Sequence, residues 1–391
     1  MENTLLDIPP RSAPHQPDWE DPARVRWVRK ELRARDPLVA RDDVRALRAR
    51  LARVAAGEAL VVQAGDCAED PEECTAEHVA RKAAVLDLLA GALRLITARP
   101  VLRVGRIAGQ YAKPRSKPTE TVAGVELPVY RGHMINDPRP DADSRRPDPL
   151  RMLTGYMAAR EVMRHLGWQP GGAAADGFDP RVWTSHEALL LDYEVPMLRR
   201  GGDGGLLLTS THWPWIGERT RQVDGAHVSL LAGVANPVAC KVGPSMEPDE
   251  LLALCRRLDP RREPGRLTLI SRMGADRVAD ALPPLVAAVR EAGHPVIWLT
   301  DPMHGNTVSV RGGIKTRFVA TVAREVAAFH RAVTAAGGVA GGLHLETTPD
   351  AVTECVADES AVDEAGSVST TFCDPRLTPD QAASVIAAWS R

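Results

Sequence analysis

From residue 59 onward, short apolar runs alternate with longer stretches of helical period. The runs are "ALVVQAG" (59–65), "VLRVGR" (101–106), "RVWTS" (181–185), "HWPWIG" (212–217), "PVACKVG" (237–243), "LTLISRMG" (267–274), "PVIWLTD" (295–301) and "GGLHLETT" (341–348). Short continuous apolar runs bounded by turn residues read as strands buried on both faces. Between most of them lie helices, of which "ADRVADALPPLVAAVREAG" (275–293) and "FVATVAREVAAFHRAVTAAGG" (318–338) are the clearest. Before residue 59, "DPARVRWVRKELRAR" (21–35) opens with an Asp-Pro start signal, and "RDDVRALRARLARVAAG" (41–57) sets Val44, Leu47, Leu51 and Val54 at helical spacing and stops at Gly57. Residues 1–18 read as an extended arm.

Eight strands in β-α alternation predict an α/β fold, a (β/α)8 TIM barrel with an N-terminal helical extension. The division expected is 1–57 for the arm and helices and 58–391 for the catalytic barrel. A doubly wound open sheet is the rival, because periodicity does not reveal closure. No G-x-G-x-x-G follows any strand, which weakens the dinucleotide-binding form of that rival. Two connections depart from the rhythm: a long polar, proline-rich segment, 112–150, and a glycine-rich one, 168–180. Long loops in compact domains are often functional.

Each predicted strand ends in residues that a core would not choose. In chain order the ends supply Asp66, Cys67 and Glu69; Arg106, Lys113 and Arg115; His186 and Glu187; Glu218, Arg219 and Arg221; Lys241; Arg272; Asp301 and His304; His344 and Glu346. Any one of them reads equally well as a surface ion pair, a buried thiol or a satisfied loop histidine. Together they converge, because in a barrel all C-terminal strand ends face one mouth.

Composition narrows the reading. Of 391 residues, 44% are hydrophobic and 26% charged, which is ordinary globular usage, and the net charge of −2 supplies no basic field for nucleic acid or an anionic membrane. The opening stretch lacks an apolar signal-peptide core and no apolar run reaches bilayer length, so the chain is expected to be cytoplasmic. The six cysteines form no C-x-x-C pair and read mostly as buried thiols.

Against near-zero net charge, the mouth cations Arg106, Lys113, Arg115, Arg219, Lys241 and Arg272 imply a small polyanionic substrate, since arginine forks and lysine point charges suit phosphate and carboxylate oxygens. A second group, Cys67, His304 and Glu346 with Asp374 from "TFCDPRL", mixes soft and hard donors. Such a set suits Mn2+, Fe2+, Co2+ or Zn2+ better than Mg2+.

These residues sit in stretches that resemble the type II (plant-like) 3-deoxy-D-arabino-heptulosonate 7-phosphate (DAHP) synthases: "GDCAE" (65–69), "GRIAGQYAKPRS" (105–116), "SHEALLLDYE" (185–194), "WIGERTRQVDGAH" (215–227), "GVANPVACKVGPSM" (233–246), "LTLISRMGADR" (267–277), "DPMHGNT" (301–307), "GGLHLETT" (341–348), "VTEC" (352–355) and "CDPRL" (373–377). The resemblance runs from about residue 60 to the end. It implies a transferase that condenses phosphoenolpyruvate and erythrose 4-phosphate, with water, to DAHP and phosphate, the first step of the shikimate pathway. It implies a divalent metal, Mn2+ first, with Co2+, Fe2+ or Zn2+ as alternatives, held by Cys67, His304, Glu346 and Asp374. The phosphoenolpyruvate site falls on Arg106, Glu218, Arg219, Lys241 and Arg272. The aldose-phosphate site falls on Lys113, Pro114, Arg115 and Ser116 with Glu187. Catalytic roles fall on Lys113, Glu218, Arg219, Lys241, Arg272 and His304. Asp301 joins the substrate-binding residues and is expected to steady a lysine or histidine. A homodimer is implied, with no nucleic-acid or membrane partner.

Departures from the family pattern shape further expectations. Ala64 replaces a usual glycine, and His133 replaces an acid in the loop after "KPRS", which opens an amino-sugar-phosphate substrate as an alternative. A non-catalytic barrel that binds phosphorylated ligands is the other alternative. Many members carry a longer N-terminal segment before the "QPDW" match (16–19) and inserted helices between the second and third strands, where they build aromatic amino acid sites. The short connection here predicts an enzyme without that feedback, suited to specialised metabolism such as phenazine formation. Cys373, beside Asp374, falls near Cys67 in that arrangement; the pair reads first as reduced thiols, with an oxidative link as the alternative.

Overall fold

The computed structural model describes residues 13–122, 124–168, 181–202 and 204–390. The first helix, α1 (Pro22–Ala34), starts where the sequence placed it: the Asp21 carboxylate accepts from the backbone N–H groups of Ala23 and Arg24 at 3.0 and 2.9 Å. In α2 (Arg41–Ala55), Val44, Leu47, Leu51 and Val54 form the buried stripe.

Eight parallel strands follow: β1 (Leu60–Gly65), β2 (Val101–Arg106), β3 (Trp183–Thr184), β4 (Trp215–Ile216), β5 (Val238–Val242), β6 (Leu267–Ser271), β7 (Ile297–Thr300) and β8 (Val339–Glu346). They lie side by side in the order β3-β2-β1-β8-β7-β6-β5-β4, a curled sheet with helices outside. Near its two ends, Trp213 N–H donates to Thr184 O and Trp215 N–H to His186 O, each at 3.1 Å, and Ala188 N–H donates to Trp215 O at 3.0 Å. The third and fourth strands are shorter than the sequence suggested, because 185–188 and 212–214 make these cross-links as irregular chain rather than as ladder.

The helices between strands are α3 (Ala76–Thr97), α4 (Arg151–His165), a single turn α5 (Leu191–Glu194), α6 (Ala226–Ala232), α7 (Pro248–Leu258), α8 (Val278–Glu291) and α9 (Val319–Ala335), with α10 (Pro379–Ile386) after β8. Each packs on the next from α6 round through α10 to α3 and α4. Helix α8 carries Pro283 and Pro284 without ending. Helix α2 lies across the N-terminal ends of the strands: Val54 packs against Gly341, and Gly265 against the backbone of Arg48 and Ala52. Gly342 has φ +140°, and a Cβ there would overlap the Val61 carbonyl oxygen, so this crossing of β8 and β1 admits only glycine.

Register carries the chemistry upward. Gly65 of β1 pairs with Arg106 of β2 on one side and with Glu346 of β8 on the other, so these ends finish level. The segment 112–150 is not featureless: strands 119–122 and 125–128 pair as an antiparallel hairpin over the mouth. The described part of the arm and the residue after it are tied down, with Gln16 bonded to Leu189 O and Leu191 N and Trp19 Nε1 donating to Asp192 at 2.8 Å. Residues 1–12 of the arm and 169–180 of the glycine-rich connector lie outside the described residues. No helix among the described residues is long and apolar enough to cross a membrane.

Candidate active site

The C-terminal strand ends open on a cleft of about 980 Å³. Its lining includes Cys67, Arg106, Lys113, Pro114, Arg115, Ser116, Glu187, Glu218, Arg219, Lys241, Arg272, Asp301, His304 and Asp374, contributed by the ends of the first seven strands and, for Asp374, by the chain after β8. Glu346 lies fully buried at its floor.

One anionic cluster stands out. Donor atoms of Cys67, Glu346 and Asp374 lie within 4.8 Å of one another. His304 borders it, with Nε2 3.3 Å from Glu346 Oε1. His304 Nδ1 faces Asp301 Oδ2 at 2.7 Å, so the ring is held with Nε2 toward the cluster. Burial would raise the Glu346 and Asp374 carboxyls. For Glu346, His304, Lys113, Arg317 and Arg106 reverse this, and for Asp374 chiefly Lys113 and Arg317, so both are held well below the carboxylate range. The Lys113 ammonium lies inside the cluster, 2.6 Å from Asp374 Oδ2, 3.7 Å from Glu346 Oε1 and in contact with Cys67 Sγ. Two carboxylates and a thiol that together close on a cation, with an imidazole nitrogen beside them, fit a borderline divalent metal. Burial pushes the Cys67 thiol up, and Cys67 and Cys373 are both free thiols.

A cationic wall stands beside the cluster. Lys241 Nζ meets Asp301 Oδ2 at 2.5 Å, so one carboxylate holds both this lysine and His304. Asp301 also accepts the backbone N–H groups of Met303 and His304. Its oxygens therefore face protein, and Asp301 acts here by holding its neighbours. Burial lowers Lys241 to about 8 although Asp301 pulls it up. Arg106 is likewise bound inward, to Asp66 O, His344 and Glu346, and lies over the Trp215 ring at 5.2 Å. Arg272 turns one guanidinium nitrogen to His304 O at 3.1 Å. Farther out, Arg219 donates to Ser116 Oγ at 2.6 Å, and Arg115 pairs with Glu120 at 3.2 Å. Buried oxygens of Glu187 (Oε1) and Glu218 (Oε2) have no hydrogen-bond partner, and burial raises Glu187. His186 and His344 are absorbed into the core by Glu194 and Gln63.

Some supporting residues escaped sequence reasoning. Arg317, fully buried, donates to Glu346 Oε2 at 2.7 Å, and Lys315 pairs with Asp374 Oδ1 at 2.8 Å. Both follow the seventh strand's loop rather than a strand end, so no positional signal marked them. Gln110 accepts from Glu187 N–H at 3.0 Å. The Glu69 carboxylate accepts three consecutive N–H groups, from Ala108, Gly109 and Gln110.

A mouth that pairs a metal-type ligand set with an anion-binding wall, on a parallel α/β sheet, defines a metal-dependent enzyme class acting on small anionic substrates. Comparison with known proteins makes this specific. The model of the class-II DAHP synthetase family matches residues 7–180 and 178–388. A Pseudomonas fluorescens protein named probable phospho-2-dehydro-3-deoxyheptonate aldolase is 57% identical over 390 residues, covering 100% of this chain and 97% of its own. A Streptomyces coelicolor phospho-2-dehydro-3-deoxyheptonate aldolase is 41% identical over 426 residues, covering 97% of this chain and 94% of its own. A solved structure of such an aldolase from Francisella tularensis shares the fold, with TM-score 0.58 at 13% identity over 95% of this chain and 98% of that one. The chain belongs to the class-II DAHP synthetase family and is an enzyme of that class, the family the sequence stretches resembled.

Proposed function

We propose that this chain condenses phosphoenolpyruvate with erythrose 4-phosphate and water to give DAHP and phosphate. The observation that carries this is Asp301, whose one carboxylate binds Lys241 of the cationic wall and His304 beside the metal cluster. Two substrates held on those two features would meet between them.

Cys67, His304, Glu346 and Asp374 would hold the divalent metal, Mn2+ first. When bound, such an ion supplies Lewis-acid polarisation of the aldehyde. Lys241, Arg272 and Arg219 bind the carboxylate and phosphate of phosphoenolpyruvate, and Lys113 with the Arg219–Ser116 pair receives the phosphate of the aldose. Held so, C3 of phosphoenolpyruvate faces the aldehyde carbon. As the C–C bond forms, C2 becomes electron-poor. The unpartnered Glu218 oxygen orients the water that adds there. The C2–O bond to phosphate then breaks, and Lys241 and Arg272 stabilise the departing charge. The direct test is phosphate release from phosphoenolpyruvate in the presence of erythrose 4-phosphate, with and without chelator. Chelator-insensitive turnover would sink the metal assignment, and absent turnover would favour a binding barrel.

The sheet closes into a (β/α)8 barrel in this reading, supported by the hydrogen bonds between 184–188 and 213–215. The described residues of the 1–57 segment, from 13 onward, form an extension of the single catalytic unit, supported by α2 across the strand N-terminal ends. His133 packs against Tyr130 and Phe372 and is not among the cleft lining, which favours the plain aldose over an amino analogue. Pairing of two chains is proposed with it. Leu88 and Leu95 leave apolar surface on α3, and a monomer by sedimentation would count against it.

A further inference from the structure

Glu325 is fully buried in α9, outside the cleft lining, and no ion pair joins it among the described residues. A carboxyl group so placed must be held by hydrogen bonds. Glu325 Oε1 accepts from Gly274 N–H at 3.0 Å, in the loop after β6. Its Oε2 accepts from Asn306 Nδ2 at 2.5 Å, in the loop after β7. Asn306 completes a bridge: its Oδ1 accepts from Ala275 N–H at 3.0 Å and its Nδ2 donates also to Pro302 O at 2.8 Å. At Gly274 and Gly305 the two loops also meet backbone to backbone, since a Cβ on Gly305 would overlap Gly274 N. At the cleft they meet again, where Arg272 donates to His304 O.

We infer that Glu325 and Asn306 are positioning residues that lock the Arg272 loop to the His304 loop, so that the anion site and the metal ligand keep one fixed separation. The inference rests on the roles proposed above for Arg272 and His304. It adds a cause for their spacing that neither side chain supplies.

The bridge has a fixed polarity. Two N–H donors face Glu325, and the Asn306 amide is oriented by Ala275 on one side and Pro302 on the other. Glu325→Gln turns an amide donor toward a donor and breaks one bond. Asn306→Asp removes that amide donor and sets a second carboxyl group against Glu325, whose own carboxyl burial raises to about 8. The double variant Asn306→Asp with Glu325→Gln restores donor to acceptor between the two side chains and keeps the acceptors for Gly274 and Ala275, while the bond to Pro302 O is lost in it as in Asn306→Asp.

The experiment is a double-mutant cycle read by three measurements: KM for phosphoenolpyruvate, Mn2+ affinity by calorimetric titration without substrate, and melting temperature. Each single variant is expected to raise KM and weaken Mn2+ binding about tenfold, as loss of a ligand's supporting partner does, and the double variant to recover most of both. Single variants that lower only the melting temperature, or a double variant no better than the two losses combined, overturn the inference. Should a single variant not fold, the double variant still decides, since near-native constants in it require the restored bridge. Arg272→Ala with unchanged KM for phosphoenolpyruvate would instead remove the site assignment beneath it.

Discussion

At the scale of single residues, charge sits where burial and pairing force it. Lys241 is lowered to about 8, so it is the mouth cation that titrates nearest neutrality. Its ammonium is present below that pH and lost as pH rises through it. The free-enzyme profile of kcat/KM for phosphoenolpyruvate is therefore expected to fall above about pH 8, and Lys241→Arg, which stays charged, to move that limb upward. A flat profile to pH 10 in the native enzyme would remove Lys241 from the anion site. Lys113 is the second case. Its ammonium and a divalent ion face the same Cys67, Glu346 and Asp374 donors. Metal binding has to displace it toward the cleft, where the aldose phosphate lies in the proposed arrangement. Lys113→Gln is expected to tighten Mn2+ binding measured without substrate. It is also expected to raise KM for erythrose 4-phosphate by roughly 10- to 100-fold, since a hydrogen bond to a charged group contributes about 1.5–3 kcal/mol. Weaker Mn2+ binding in this variant would contradict the competition.

At the scale of elements, the strands and their ends were legible because a buried parallel strand is a short apolar run and its functional end breaks that run. The same logic misjudged β3 and β4, which contribute two ladder residues each, because Trp213 and the 185–188 stretch are buried by cross-links that leave no periodic trace. Glu325 had a readable signal that passed unused: it falls on the apolar face of α9 with Val322, Val326, Phe329 and Val333. An acid on a core stripe asks for partners, but sequence does not say which loops supply them. Glu69 shows how a strand end organises the following loop. Its carboxylate gathers the N–H groups of 108–110, where Ala108 takes φ +65°. That turn starts the path to Lys113 and Ser116. Glu69→Ala leaves three buried donors unpaired and is expected to destabilise the fold by about 1–3 kcal/mol per group not recovered by water. Because the turn aims the aldose loop, KM for erythrose 4-phosphate should rise more than KM for phosphoenolpyruvate, and equal changes in both would deny that aim.

At the scale of the whole molecule, the question is what the catalytic sheet carries besides catalysis. The described part of the connection between β2 and β3 holds one hairpin and one helix, α4. The alignment with the Streptomyces coelicolor relative spans 426 residues against the 391 of this chain, so that relative has segments without counterpart here, whereas the Pseudomonas fluorescens relative aligns over 390. An inhibitor acts at a distance only through a site that binds it and an element with two arrangements that both sites bias. Neither is supplied by α4, whose buried face, with Met152, Tyr156, Ala159, Val162 and Met163, is packed into the core. Turnover is therefore expected to stay within about twofold on adding tryptophan, phenylalanine or tyrosine, singly or in pairs, at concentrations that saturate ordinary amino acid sites. A coupling of the usual 1–3 kcal/mol would instead change affinity roughly 5- to 150-fold. The measurement is initial phosphate release at substrate concentrations near KM, where a shift in affinity is most visible. A steep loss of rate with any one of the three would mean that a regulatory site is built from the common scaffold itself, and would end the reading of this enzyme as one freed from feedback for a specialised pathway.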